Sequence, residues 1–67
     1  MANIENILRV ERAKAGISIE EMCRLAKIPC QNYYRMKKNG FASLRANDLI
    51  SLADVFGVST DYLLGRD

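Results

Sequence analysis

Gln31, Asn32 and Arg35 carry the most specific hydrogen-bonding chemistry in the chain, and they lie within one nine-residue stretch, CQNYYRMKK. A carboxamide presents a donor beside an acceptor and can pair bidentately with an adenine edge. A guanidinium can do the same with guanine. Lys37 and Lys38 add positive charge, and no acid falls between Cys30 and Lys38. On a helix, Tyr33 and Met36 would share an inner face at i, i+3, leaving Gln31, Asn32, Arg35 and Lys38 outside. Two readings stay open at this point. Either the outer face reads base edges, or this is an exposed basic helix whose tyrosines only pack.

Other chemistries have little material. Without a histidine, the commonest general base and the triads built on it are missing. Cys23 and Cys30 are too few to make a zinc site. A disulfide between them is not expected in a cytoplasmic protein, so both are read as small packing side chains. The four glycines are widely spaced and form no phosphate loop. Neither an enzyme nor a bound metal or cofactor is expected. No apolar run approaches the roughly 20 residues that span a bilayer. The start of the chain shows no basic stretch followed by an apolar one, so no signal peptide is read there. The expected location is the cytoplasm.

The net charge of +2 says little, but its distribution is uneven. Between Met22 and Asn47 stand Arg24, Lys27, Arg35, Lys37, Lys38 and Arg45 with no acid among them. The remainder holds four basic and eight acidic residues. A basic middle on an acidic remainder fits a polyanionic partner, and it also fits a solvated basic surface.

These residues need elements to position them. Glycines and the one proline cut the 67 residues into helix-length pieces within one domain, 1–67. The first helix is expected over about 3–15, capped by Asn3, with Ile4, Ile7 and Leu8 inward and Gly16 ending it. The second spans about 18–26. Ser18 and Glu21 have the spacing of a reciprocal capping box, and Met22, Leu25 and Ala26 face the core. Pro29 breaks this helix and opens the third, about 29–38. The fourth covers about 45–56, with Leu49, Leu52, Ala53 and Phe56 inward and Ile50 beside them. The fifth covers about 60–64, capped by Ser59 or Thr60. The expected fold class is all-α, a compact five-helix bundle. Its second and third helices are joined by a link short enough to force a steep crossing.

Ser18 to Gly40 resembles the helix-turn-helix of the XRE family, the Cro and phage-repressor type. The tail from Leu52 to Gly65, LADVFGVSTDYLLG, is very similar to that family's last two helices. The resemblance implies a lambda-repressor-like fold and sequence-specific binding of double-stranded DNA in transcription regulation, most simply repression. By it, Cys30, Gln31, Asn32, Tyr34 and Arg35 fall on base-facing positions. Ser18, Arg24, Lys27, Lys37, Lys38, Asn39 and Arg45 become candidates for phosphate contacts. Met22, Ala26, Ile28, Tyr33 and Met36 fall on motif-core positions, and Cys23 on the small-residue position between the two helices. A homodimer on a two-fold operator is implied, with Phe56, Tyr62, Leu63 and Leu64 as its contact; those four also suit closing the core.

The chain departs from the family pattern at several places. Ile19 replaces a glutamine that touches phosphate. Lys27 replaces the turn glycine, so either it turns left-handed or nearly so at some cost or the turn itself differs. Lys37 replaces a glutamate that pairs with the arginine at Arg12, which leaves Arg12 to Glu11 or solvent. Glu11 replaces a leucine, and the stretch before Gly40 is one residue longer. A second reading, from another class, is an antitoxin or adaptor whose basic face docks on an acidic protein.

Overall fold

A computed structural model describes residues 3–65; the outermost positions of the expected domain, 1–2 and 66–67, lie outside them. All regular structure there is helical: α1 (Ile4–Ala15), α2 (Ile19–Ala26), α3 (Cys30–Lys38), α4 (Ala46–Phe56) and α5 (Thr60–Leu63). The described chain has a radius of gyration of 10.7 Å. The all-α five-helix bundle expected from periodicity and punctuation is the architecture observed.

Punctuation sets the helix ends. The side chains of Asn3, Ser18 and Ser59 accept hydrogen bonds from the N–H groups of Asn6, Glu21 and Tyr62 at 2.9, 3.1 and 3.0 Å. Each satisfies one amide of a first turn. Only half of the expected capping box forms, because the Glu21 carboxylate turns to Arg24 instead of the start of α2. At α3 and α4 the cap positions are Pro29 and Arg45, and neither gives a side-chain hydrogen bond. At the end of α2, Lys27 takes the left-handed conformation (φ 59°), and Ile28 N–H closes the turn on Cys23 C=O at 3.0 Å.

Leu8, Met22, Cys23, Tyr33, Leu52 and Leu63 are fully enclosed, joined by Ile7, Ala26, Ile28, Met36 and Ala53. α2 packs on both α3 and α4, and α5 on α4 and α1. One expected inward residue faces out: Leu25 is 49% exposed, while Ile50, expected only beside its stripe, is 50% exposed. The cause is angular. With 100° per residue, Met22, Cys23 and Ala26 centre the inner stripe of α2, and Leu25 falls about 110° from that centre. Cys23 takes the place assigned to Leu25. Ile50 lies at a similar angle from the Leu49–Leu52–Ala53–Phe56 stripe.

Candidate nucleic-acid interface

α3 is held to the bundle by its inner side. Tyr33 is completely buried and Met36 nearly so. The Tyr33 ring meets the Phe41 ring edge-on, with centroids 5.8 Å apart at 67°. Its hydroxyl receives a hydrogen bond from Arg12 at 3.4 Å. Burial pushes the Tyr33 hydroxyl pKa up and the Arg12 charge works against that shift. Arg12 thus goes to Tyr33, not to Glu11 or solvent as expected.

The outer side of α3 exposes Gln31, Asn32, Tyr34, Arg35 and Lys38, with Cys30 and Lys37 half-buried. Asn32 and Arg35 line a cavity of about 240 Å³ with Met36, Ser43, Arg45 and Asp48. The cavity lies where α3 meets the start of α4. It brings a base-edge candidate, Arg35, beside a phosphate candidate, Arg45. The amides at the start of α4 lack a side-chain cap there, the arrangement in which a helix start favours an anion.

The other expected phosphate contacts are more dispersed. Ser18 caps α2 and is exposed. Arg24 is exposed but paired with Glu21, whose hydrogen bond and charge raise the guanidinium pKa further. Lys27 lies at the opposite end of α2, lining a groove with Ser51, Asp54 and Val55. Lys37 lies 3.7 Å from Glu5 of α1. Asn39 is committed to its own loop: its side-chain oxygen accepts from Ala42 N–H, and its NH₂ donates to Ser43, both at 3.1 Å.

The family profile described as the Cro/C1-type HTH DNA-binding domain matches residues 7–66. The chain belongs to that family. No curated protein and no solved structure matches it.

In this Cro/C1-type domain, α2 and α3 are the helix-turn-helix pair, and the chain is a DNA-binding domain. Two residues at its interface escaped the sequence reading. Glu20 receives a 2.7 Å hydrogen bond from the Tyr34 hydroxyl, and Asp48 lines the Arg35–Arg45 cavity. Spacing along the chain gives no signal for the Glu20–Tyr34 bond, which joins two helices, and Asp48 reaches the cavity from the first turn of α4. Of the four residues expected at a dimer contact, Leu63 is fully buried and cannot make one. It closes the core from α5. Phe56 and Tyr62 are half-buried and Leu64 is 43% exposed. Among the described residues, no group of three or more His, Cys, Asp or Glu side chains could hold a metal, and no helix is long and apolar enough to cross a membrane.

Proposed function

We propose that this Cro/C1-type domain is a transcriptional repressor that lays α3 in the major groove of a two-fold operator as a homodimer. The observation that carries this reading is the division of α3: Tyr33 and Met36 are buried while Gln31, Asn32 and Arg35 are exposed on a helix that itself carries no acid. A groove about 12 Å wide admits such a helix only when its outer side is polar and its inner side is held. Gln31, Asn32 and Arg35 read base edges, flanked by Cys30 and Tyr34. Arg45, Lys38, Lys37, Lys27, Arg24, Asn39 and Ser18 are assigned to phosphates, which supply affinity and register. A domain seated in the groove excludes other proteins from the same base pairs, which is repression in its simplest form.

One module of this size buries limited surface on DNA, so pairing two half-sites raises both affinity and specificity. Leu64, with Phe56 and Tyr62, forms the contact between copies. Selection from random duplexes tests the whole reading. A two-fold symmetric consensus with half-sites about one helical turn apart, roughly 34–36 Å, is expected. A consensus without symmetry removes the homodimer, and recovery of no preferred sequence removes operator reading by α3. Leu64→Glu should weaken binding to the paired site while leaving thermal stability unchanged.

A further inference from the structure

We propose that Tyr34 reads the methyl group of a thymine and that Glu20 is the positioning residue that holds its ring in place to do so. The inference rests on α3 lying against DNA and adds the chemistry read at one position.

The hydroxyl of Tyr34 donates to Glu20 Oε2 at 2.7 Å, bridging α3 back to the first turn of α2. A phenol has one proton to donate, and here it is spent within the protein. The bond to Glu20 also raises the hydroxyl pKa, keeping that proton in place. Tyr34 therefore has no donor left for a base edge. What remains is the ring, in a side chain that is 44% exposed, with the hydroxyl oxygen left only as an acceptor.

The ring is held at a second point. It meets the buried Tyr33 ring edge-on, with centroids 6.1 Å apart at 73°. A ring fixed at its hydroxyl and at one edge presents its free side as an apolar surface. Among the base-pair features of the major groove, the apolar one is the thymine C5 methyl. Cys30 is four residues earlier on the same side of α3 and half-buried, a small side chain that leaves room beside the ring.

Glu20 also puts a carboxylate at the start of α2, an end where phosphate would otherwise be welcome. An acid there opposes general affinity for DNA, so its use lies in orientation. Neighbouring Gln31, Asn32 and Arg35 read hydrogen-bonding patterns, while Tyr34 adds a term that hydrogen bonds cannot supply.

The test starts from the duplex recovered by selection. Each thymine is replaced in turn by deoxyuridine, which removes the methyl and keeps the pairing. Affinity is followed by fluorescence anisotropy at fixed salt. The wild type should lose about fourfold at one thymine of the site, the worth of a buried methyl. Tyr34→Ala should bind thymine and uracil versions equally. Glu20→Ala and Tyr34→Phe should each shrink the difference, and the double variant should shrink it no further. Glu20→Gln, whose amide oxygen still accepts, should keep the difference. A wild type indifferent to uracil throughout, or a difference unchanged in Tyr34→Ala, overturns thymine reading while leaving α3 on the DNA. Equal losses in Glu20→Gln and Glu20→Ala overturn the positioning role. If selection recovers no preferred sequence, this inference and the base-reading role of α3 fall together.

Discussion

Tyr62 and Glu11, 51 positions apart, share a 2.8 Å hydrogen bond in which the phenol donates to Glu11 Oε2. Lys14 approaches the same oxygen at 3.4 Å. Glu11 is only 8% exposed, the one buried charged residue among those described, and these two partners satisfy it. The bond ties the four-residue α5 to α1 and raises the Tyr62 hydroxyl pKa.

Tyr62→Phe should destabilise the domain by about 1.5–3 kcal/mol, the range for a hydrogen bond to a charged group, read as a lower urea midpoint. The double variant Glu11→Leu with Tyr62→Phe removes the charge and its donor together. It should recover most of that loss, because an apolar pair of similar volume has no desolvation to offset. A Tyr62→Phe protein as stable as the parent would show that the bond contributes nothing.

Lys27→Gly should stabilise the fold. A left-handed residue with a side chain costs about 1–2 kcal/mol, and glycine gives back part of that gain as unfolded-state entropy. A net rise of roughly 0.5–1 kcal/mol should show as a higher melting temperature. A lower one would mean that packing of the Lys27 stem beside Ser51 and Asp54 outweighs the backbone strain.

Arg35 and Arg45 line one cavity but are assigned different work. Arg35→Ala should weaken binding to the selected operator by about 1–3 kcal/mol and leave binding to random DNA nearly intact. Arg45→Ala should weaken both alike and lower the salt slope by about one unit. Gel shifts on both DNAs over a salt series separate the two. Equal losses on both DNAs for Arg35→Ala would move Arg35 to the phosphate group.

Stability should fall at alkaline pH from a particular starting point. Burial, with Cys30 alongside, pushes the Cys23 thiol from 9.0 up to about 12. Tyr33, Tyr34 and Tyr62 are likewise raised above 10.0. For each, the folded state favours the protonated form. The contribution is complete below the unfolded value and is lost as pH rises through the folded one. Denaturant midpoints should decline from about pH 9 in the parent. In Cys23→Ala the decline should begin nearer pH 10, leaving the tyrosine part. Identical profiles would exclude Cys23 as the source.

Helix ends and the division of α3 were readable because they depend on neighbours in the chain. Asn3, Ser18, Gly16 and Gly57 act within one turn, and Tyr33 with Met36 mark an inner face at i, i+3. Leu25 faces out where an inward position is expected, because apolar spacing gives a stripe without its exact centre line. Cys23, small and unassuming by type, lies on that line. The Glu20–Tyr34, Glu11–Tyr62 and Arg12–Tyr33 bonds join helices, and no local pattern marks such pairs. The left-handed Lys27 is one of the two outcomes that the missing turn glycine allows, whereas the partner of Arg12 needed the tertiary arrangement.

The helices without a side-chain cap are the two that meet at the Arg35–Arg45 cavity. α1, α2 and α5 each begin on an oxygen from the protein itself; α3 and α4 begin on Pro29 and Arg45. In the free domain, no side chain serves those first-turn amides, so they should exchange their hydrogens for deuterium soonest among the helix starts. A duplex that covers the cavity would slow that exchange, leaving a footprint of occupancy written in the backbone.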